Sequence, residues 1–312
     1  MTLGVAESIV DLVGNTPLLH LSRFAPPPLA AVYAKLECFN PGGSVKDRAA
    51  LGMILDAEQK GKLRPGATII EPTAGNTGIG LALIGTARGY RVILCVPRGY
   101  AVEKMRIMEA LGGEIEYVPH EAGISGAVER AHELANNIEG SFVPQQFENT
   151  ANPNFHETTT AKEIVEQLSG SIDAVVIGAG TSGTFVGVSR AVKKLIPNVL
   201  CVLVEPEGSI YGGKPPGPKK IEGIGQKDFI PSIFEPALAD EIMMISDDDA
   251  CAAMKRLGRT EGILGGWSTG AAAAAAYQVA ERLGEGKRVV TVFPDNAERY
   301  ISQGIFETWD CQ

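Results

Sequence analysis

NPGGSVKDR, residues 40–48, combines a turn with a single lysine and an Asp-Arg pair. Gly42 and Gly43 can adopt backbone angles that other residues avoid, and Pro41 fixes one turn of the path. The run before it, AVYAKLE at residues 31–37, has the composition of a strand. The stretch therefore predicts a tight, rigid loop between a strand and the next element.

A helix is predicted directly after this loop. Ser44 is a suitable N-cap, and residues 49–57 form an apolar run with helical spacing that extends to about Lys60. Lys46 then lies in the first turn, where the positive end of the helix dipole disfavours a cation. A partly desolvated lysine favours its neutral amine, which is the form that Schiff-base formation requires. Lys46 is therefore a candidate for covalent chemistry, against the alternative of a solvated surface lysine.

Length and composition indicate a globular protein. The 312 residues suffice for one large or two moderate domains, and 45% of them are hydrophobic. A net charge of -9 and a pI near 5.1 argue against nucleic acid as a partner. The sequence also has no run of basic residues that would predict binding to a membrane surface. The apolar runs are too short to cross a bilayer, and the N-terminus lacks a basic signal-peptide region. A cytoplasmic location is expected.

The five cysteines are widely scattered and show neither CxxC nor Cys/His spacing. We expect reduced thiols in the core of a cytoplasmic protein, and no metal site. They are Cys38, Cys95, Cys201, Cys251 and Cys311.

Strand-like and helix-like segments alternate along the chain, which predicts an α/β fold with parallel sheets and helices on both faces. The span 206–236 is rich in Gly and Pro and is predicted to be an irregular, functional segment, either a lid or an active-site wall. Further strands are predicted at residues 64–71, 90–96, 113–118, 141–147, 173–178, 199–205 and 287–293, and further helices at about 102–111, 124–137, 155–168, 247–258 and 271–283.

Three Gly-rich loops, at residues 73–78, 179–184 and 262–270, are each predicted to follow a strand and open a helix. Unpaired N–H groups and the helix dipole make a helix N-terminus a binding site for anions. Ligands of open α/β sheets lie at the carboxyl ends of strands. Several such loops suggest one phosphorylated ligand and one carboxylate.

Two of these loops also fit other enzyme classes. Gly178, Gly180 and Gly183 form a GxGxxG motif, and Glu205 ends the next predicted strand, as in a dinucleotide-binding fingerprint. Taken alone, this pattern leaves an NAD enzyme open.

Residues 266–270 spell GxSxG around Ser268, the pattern of a hydrolase nucleophile. That triad requires a histidine after the serine, whereas all four histidines precede it, which disfavours a hydrolase. The histidines also lack metal-ligand spacing and are expected to be core or surface residues; they are His20, His120, His132 and His156.

Six motifs occur in order along the chain: NPGGSVKDR, PTAGNTG, QQFENTANP, GTSGT, EGIG and GGWSTG. Together they resemble the cysteine synthase and cystathionine β-synthase family of fold-type II pyridoxal-phosphate enzymes, and most closely its bacterial O-acetylserine-dependent branch. The resemblance covers nearly the whole chain and overrides the NAD interpretation.

The resemblance implies a particular architecture. Two open, mostly parallel twisted sheets with helices on both faces are expected, with pyridoxal 5'-phosphate in the cleft between them. The smaller, mobile domain is expected at about 44–150, and the larger cofactor-binding domain at about 1–43 plus 151–312. A homodimer is also implied.

By matching motif, Lys46 resembles the lysine that binds the cofactor covalently and acts as the catalytic base. Asn76 resembles the asparagine that bonds the cofactor's 3'-oxygen, and Ser268 the serine that faces its pyridine nitrogen. The phosphate is expected at Gly180, Thr181, Ser182, Gly183 and Thr184.

Substrate-binding residues follow in the same way. Gln146 is expected to complete the site for the substrate carboxylate, and Glu222 and Gly223 to line the substrate entrance. The loop that closes on the carboxylate is expected at Thr73, Ala74, Gly75, Asn76 and Thr77.

A serine beside the pyridine nitrogen leaves that nitrogen largely unprotonated and weakens the electron sink, which favours β-elimination over transamination. The expected reaction joins sulfide to an O-activated L-serine, such as O-acetyl-L-serine, giving L-cysteine. Homocysteine, giving cystathionine, and a nitrogen nucleophile, giving a 2,3-diaminopropionate-type product, are alternatives. A different class, a weakly catalytic cofactor-binding protein that acts through partners, is disfavoured by the intact Lys46, Asn76 and Ser268.

Three residues depart from the common family pattern. Many cysteine synthases have serine at the position of Ala74. The cystathionine-forming bacterial branch often has alanine there, as this chain does. Ser182 stands where glycine is usual in the phosphate loop; the change is expected to be tolerated, so that Ser182→Gly leaves cofactor affinity nearly unchanged. Trp267 stands where a small residue is common, and its bulk is expected to narrow the pocket.

Overall fold

The computed structural model describes residues 4–99 and 102–307. It divides into two compact units: the first contains residues 4–14 and Asn40–Asn152, and the second contains Asn15–Phe39 and residues 153–307. The chain therefore passes between the units three times. The domain bounds and the mobile smaller domain expected from the sequence stay predictions.

Strands and helices alternate in the described residues, which confirms the predicted α/β class. The strands are β1 (Leu18–His20), β2 (Ala31–Leu36), β3 (Thr68–Pro72), β4 (Arg91–Pro97), β5 (Glu114–Val118), β6 (Ala174–Gly178), β7 (Leu200–Pro206), β8 (Glu241–Ile245) and β9 (Arg288–Phe293). The helices are α1 (Lys46–Gln59), α2 (Asn76–Ala87), α3 (Val102–Ala110), α4 (Gly123–Asn137), α5 (Ala151–Thr158), α6 (Thr160–Gln167), α7 (Gly183–Leu195), α8 (Asp247–Glu261) and α9 (Trp267–Leu283).

The first unit is built on a parallel sheet in the order β3-β4-β5. On one face, Ile70 and Ile93 pack against Ala127 and Ala131 of α4. The opposite face meets α2 so closely that a Cβ on Gly85 would lie 2.6 Å from the Val92 side chain. Helices therefore cover both faces, as predicted.

The second unit contains a six-stranded sheet in the order β1-β2-β9-β6-β7-β8, and in it only β1 runs antiparallel to its neighbour. Strand β9 is buried on both faces. Val290 and Val292 pack with α6 and α7, whereas Val289 and Phe293 pack with α8 and α9. Burial on both faces explains why its sequence is an almost continuous apolar run rather than an alternating one.

The predicted strand at residues 141–147 is wrong. Phe142 alone forms a parallel bridge, to Ile69. Pro144 has no N–H to donate to a ladder, and Gln145 adopts a positive φ of 56°, which is incompatible with strand geometry. The segment therefore ends as a loop.

Two other expectations are corrected. The single helix predicted at 155–168 is two helices, α5 and α6, which are separated at Thr159, whose φ of -119° and ψ of -74° depart from regular helical values. The Gly-rich loop at 262–270 follows α8 and not a strand.

Strand β8 was missed in the sequence, whereas the irregular nature of the span 206–236 is confirmed between β7 and the 3-10 helix Pro236–Leu238. Of the cysteines, Cys95 and Cys201 are buried as expected, but Cys38 and Cys251 are only partly buried. None of these four forms a disulfide within the described residues, and Cys311 lies outside them. Within residues 4–99 and 102–307, no helix is long and apolar enough to cross a membrane.

Candidate active site

Lys46 is the first residue of α1, which confirms its predicted place in the first turn. The predicted N-cap is corrected by one position, because Val45 occupies it and makes no side-chain capping bond. The hydroxyl of Ser44 instead accepts a 3.3 Å hydrogen bond from the backbone N–H of Lys46. Gly43 has a φ of 76° and donates to the carbonyl of Asn40 at 2.7 Å, which closes the loop in front of the lysine.

The backbone around Lys46 is tightly packed within the first unit. A Cβ on Gly80 of α2 would lie 3.0 Å from the carbonyl oxygen of Lys46. The N–H of Gly42 donates to Oδ2 of Asp47 at 2.6 Å, and a Cβ on Gly42 would meet that carboxylate. The lysine is therefore held on a rigid backbone, as a residue of defined position in a reaction must be.

The loop at residues 73–77 lies at the carboxyl end of β3 and opens α2. Thr73 is buried, and its Oγ1 accepts a 3.4 Å bond from the N–H of Gly75. Gly75 is the N-cap of α2 and Asn76 is its first residue, with Ala74 preceding them. The loop therefore presents a helix N-terminus, the predicted kind of anion site.

Gln146 meets this loop from a distant part of the chain. The hydroxyl of Thr77 donates a 2.6 Å hydrogen bond to Oε1 of Gln146, and both side chains are buried. The side chain of Asn152 donates to the carbonyl of Gln146 at 3.0 Å. Two predicted substrate-binding residues are thus in direct contact.

Glu71, at the end of β3, lies behind Gln146. Its carboxylate is 1% exposed and accepts bonds from the N–H groups of Gln145 at 3.0 Å and Gln146 at 3.2 Å. Burial raises the pKa of Glu71 to about 7, while the two bonds from these N–H groups act in the opposite direction. A buried carboxylate thus holds the backbone that carries Gln146.

In the second unit, the loop at residues 179–184 runs from β6 to the first residue of α7, Gly183. Ser182 is the N-cap and has a left-handed φ of 70°. Its Oγ is buried and makes no hydrogen bond of normal geometry in the described part of the chain, although it interacts with the hydroxyl of Tyr211. Since buried hydroxyls are normally bonded, a ligand oxygen at this helix N-terminus fits the arrangement.

The carbonyl of Gly180 is fixed by two side chains of the irregular span. Tyr211 Oη donates to it at 2.8 Å and Gln226 Nε2 at 2.7 Å. Burial raises the pKa of Tyr211, so its hydroxyl stays protonated and can donate. A Cβ on Gly180 has no room beside the carbonyl oxygen of Gly223.

Thr181 and Thr184 complete this loop. Oγ1 of Thr181 accepts a 3.3 Å bond from the N–H of Gly183. Oγ1 of Thr184 lies 3.2 Å from Nε2 of His156, whose Nδ1 lies 2.8 Å from Oγ1 of Thr160. His156 is buried, so it supports the loop from the core side, consistent with a core role.

The turn at Glu222 and Gly223 is held by a lysine. Lys219 Nζ donates to the carbonyl of Ile221 at 2.9 Å and to that of Ile224 at 2.8 Å, one on each side of the turn. Burial lowers the pKa of Lys219. The turn is therefore anchored at both of its ends.

Ser268, the second residue of α9, faces this turn. A Cβ on Gly223, which has a φ of 82°, would lie 3.6 Å from Ser268 Oγ. Oε1 of Glu222 accepts a 2.8 Å bond from Gln303. Trp267, the departure noted in the sequence, packs into the hydrophobic core of the second unit.

Glu205 is engaged by the backbone. It is fully buried at the end of β7, and its carboxylate accepts from the N–H groups of Tyr211 at 3.0 Å and Gly212 at 2.9 Å. Both carboxylate oxygens of Glu205 thus accept hydrogen bonds from the protein itself. Glu205 therefore does not serve as the ribose-binding acidic residue of a dinucleotide fingerprint.

Sequence reasoning missed the side chains that hold these loops. Tyr211, Gln226 and Lys219 lie in the irregular span, and no local pattern marks them. Glu71 did have a usable signal, because a charged residue ending an apolar strand needs partners when it is buried. No group of three or more His, Cys, Asp or Glu side chains suited to a metal occurs in the residues described.

Comparisons with known proteins identify the family and the fold. The sequence profile of the family described as "Pyridoxal-phosphate dependent enzyme" matches residues 9–295. A cysteine synthase of Staphylococcus aureus is 45% identical over 96% of this chain and 97% of its own. An O-acetylserine dependent cystathionine β-synthase of Bacillus subtilis is 46% identical, with 97% and 98% covered. The crystal structure of an O-ureido-L-serine synthase superposes with a TM-score of 0.94 at 39% identity, over 98% of this chain and 97% of that one.

Proposed function

The chain belongs to the family of pyridoxal-phosphate-dependent enzymes, and on that premise we propose that it is a cysteine synthase. Its reaction is β-replacement on an O-activated L-serine, such as O-acetyl-L-serine, with sulfide as nucleophile and L-cysteine as product. The observation that carries the proposal is the bond between Thr77 and Gln146, which joins the loop at the start of α2 to the glutamine expected to bind the substrate carboxylate.

The cofactor is pyridoxal 5'-phosphate, and the residues present suit it. The N-terminus of α7, together with the buried hydroxyl of Ser182, suits a phosphate dianion. Lys46 supplies an amine on a rigid backbone, Asn76 an amide, and Ser268 a neutral hydroxyl for the pyridine nitrogen. The remaining members of the phosphate site are Gly180, Thr181, Gly183 and Thr184.

Bound pyridoxal phosphate supplies the electron sink that acidifies the α-C–H bond of the amino acid and lets the β-leaving group depart. Nζ of Lys46 takes the α-proton as general base and returns it to the same carbon after the nucleophile has added. Ser268 carries no charge, so it does not hold a proton on the ring nitrogen as a carboxylate does, and this favours elimination over transamination.

The substrate is held by its carboxylate. The loop at the N-terminus of α2 offers hydroxyl, amide and backbone N–H donors, and the amide of Gln146 adds a further donor. The loop residues are Thr73, Ala74, Gly75, Asn76 and Thr77. Glu222 and Gly223 are proposed to line the substrate entrance, where the position of their turn depends on Lys219.

Homocysteine as nucleophile, giving cystathionine, is the second candidate. It is supported by Ala74, and by the similarity to the O-acetylserine dependent cystathionine β-synthase of B. subtilis. A nitrogen nucleophile giving a 2,3-diaminopropionate-type product is a third candidate. We propose a homodimer as the working assembly.

Absorption spectroscopy of the purified protein tests the proposal. With pyridoxal phosphate, the protein is expected to become yellow and to change spectrum when O-acetyl-L-serine is added. The nucleophile that restores the first spectrum fastest, among sulfide, homocysteine and ammonia, identifies the second substrate. A protein that takes up no cofactor, or turns over none of these pairs, contradicts the proposed function.

A further inference from the structure

Two buried glutamates occupy equivalent places in the two units. Strand β3 ends in Glu71-Pro72 and strand β7 ends in Glu205-Pro206. Each carboxylate accepts hydrogen bonds from two consecutive backbone N–H groups of a loop that follows later in the chain. Each glutamate is no more than 1% exposed.

The two loops carry different parts of the proposed site. Glu71 binds the N–H groups of Gln145 and Gln146, and the side chain of Gln146 in turn meets Thr77. Glu205 binds Tyr211 and Gly212, and the hydroxyl of Tyr211 holds the carbonyl of Gly180. Glu71 is thus connected by hydrogen bonds to the loop proposed to bind the substrate carboxylate, and Glu205 to the loop proposed to bind the phosphate.

We propose that Glu71 and Glu205 are positioning residues with separate targets: Glu71 sets the affinity for the amino-acid substrate, and Glu205 sets the affinity for the cofactor phosphate. The proposal rests on the proposed function for the identity of the two ligands.

The backbone conformation at Gln145 explains why Glu71 is needed. Gln145 is a non-glycine residue with a φ of 56°, a conformation that costs about 1–2 kcal/mol. Above its pKa of about 7 Glu71 is ionised, and hydrogen bonds to a charged group contribute about 1.5–3 kcal/mol each, enough to offset that cost. Without the two bonds to Glu71 the loop relaxes, and the amide of Gln146 leaves the position in which it meets Thr77.

A carboxylate is suited to this role because both its oxygens only accept hydrogen bonds. A glutamine of the same shape has one acceptor oxygen and one NH2 group, so one of the two backbone N–H groups would face a donor. Glu205 is also tightly packed against its loop, since a Cβ on Gly212 would lie 2.6 Å from Oε1 of Glu205. Glutamate to glutamine is therefore a minimal and matched change at both positions.

The test compares Glu71→Gln with Glu205→Gln, each serving as the control for the other. We expect Glu71→Gln to raise KM for O-acetyl-L-serine at least about tenfold, with the Kd for pyridoxal phosphate changed less than about twofold. We expect Glu205→Gln to raise the Kd for pyridoxal phosphate at least about tenfold, with KM for O-acetyl-L-serine changed less than about twofold. If either variant fails to fold, Glu71→Asp or Glu205→Asp replaces it, because aspartate keeps the charge but withdraws it by one carbon.

Hydrogen exchange of the backbone amides gives a measurement that needs no turnover. In Glu71→Gln, exchange is expected to accelerate at Gln145 and Gln146 and to stay unchanged at Tyr211 and Gly212. Glu205→Gln is expected to do the opposite. Variants that shift both affinities together, or neither, overturn the proposal. A wild-type protein without turnover contradicts the proposed function instead, and the cofactor Kd and the exchange rates still decide the roles of the two glutamates.

Discussion

Thr77 Oγ1 donates a 2.6 Å hydrogen bond to Oε1 of Gln146 across 69 positions of the chain. The bond is buried, and each partner belongs to a segment whose backbone is fixed elsewhere: Thr77 by helix α2, and Gln146 by the carboxylate of Glu71. A change at either end should therefore be felt at the other.

Thr77→Val keeps the shape of the side chain and removes its hydroxyl, so Oε1 of Gln146 loses its partner. An unsatisfied buried acceptor costs about 1–3 kcal/mol, so we expect KM for the amino-acid substrate to rise about 5- to 150-fold. Steady-state kinetics measure this. Thr158→Val is the control, because the Thr158 hydroxyl is exposed and bonds to carbonyls within its own helix. An unchanged KM would contradict the role of the pair.

Lys46→Ala should abolish turnover, since no other amine in the proposed mechanism moves the α-proton. Borohydride reduction of the wild-type protein with its cofactor should attach the cofactor to the peptide that contains Lys46, and mass spectrometry of the digest detects this adduct. Lys60→Ala is the matched control, because Lys60 forms a surface pair with Asp56 at the other end of the same helix. Retained turnover in Lys46→Ala would remove the lysine from its proposed role.

Ser182 combines a left-handed backbone with a buried hydroxyl, and two substitutions separate these features. Glycine adopts the left-handed conformation without strain, whereas alanine does not. Without cofactor, the free energy of unfolding of Ser182→Gly should therefore be about 1 kcal/mol higher than that of Ser182→Ala. Both variants lose the hydroxyl, whose burial reverses the expectation from the sequence, and both should bind pyridoxal phosphate about tenfold more weakly. Urea denaturation and cofactor titration measure the two effects. Equal stability of the two variants would show that the backbone at Ser182 is not strained.

Stability should depend on pH through Glu71, whose pKa is raised by burial from 4.5 to about 7. Because the folded protein keeps this proton more tightly, the contribution of Glu71 to the free energy of unfolding is fully present below pH 4.5 and is lost as pH rises through about 7. At about 1.4 kcal/mol per pKa unit, the loss amounts to about 3 kcal/mol.

Urea unfolding of Glu71→Gln between about pH 5 and about pH 8 tests this, since glutamine does not titrate. We expect the fall in stability to disappear in Glu71→Gln and to persist in Glu139→Gln, a change at an exposed glutamate. The same slope in all three proteins would assign the pH dependence to other groups.

The parts of the fold that were predictable are those written in contiguous residues. The glycines before Lys46 and the apolar run after it place the start of α1 within one residue, although the cap moved from Ser44 to Val45. Alternating segments gave the parallel sheets. Strand β8 was missed because a short apolar run after a long irregular span has no neighbouring turn pattern to delimit it.

The rest depends on contacts between distant residues. Tyr211 and Gln226 reach the carbonyl of Gly180 from 31 and 46 positions away, and side chain–backbone bonds of this kind leave no periodic pattern. The segment around Phe142 has strand-like residues, but Pro144 and the positive φ of Gln145 decide its course. The same deviation from strand geometry delivers Gln146 to Thr77, so the failed prediction lies at the proposed site.

The position of β9 has a consequence for the order in which the protein assembles. Residues 288–293 are made after strands β1 to β8, yet they lie between β2 and β6 at the centre of the larger sheet. Until the ribosome releases them, β1-β2 and β6-β7-β8 are separate pieces with exposed apolar edges, whereas β3-β4-β5 is already complete. A nascent chain is therefore most prone to aggregation late in synthesis, and a chain that stops before β9 loses the junction of its larger sheet.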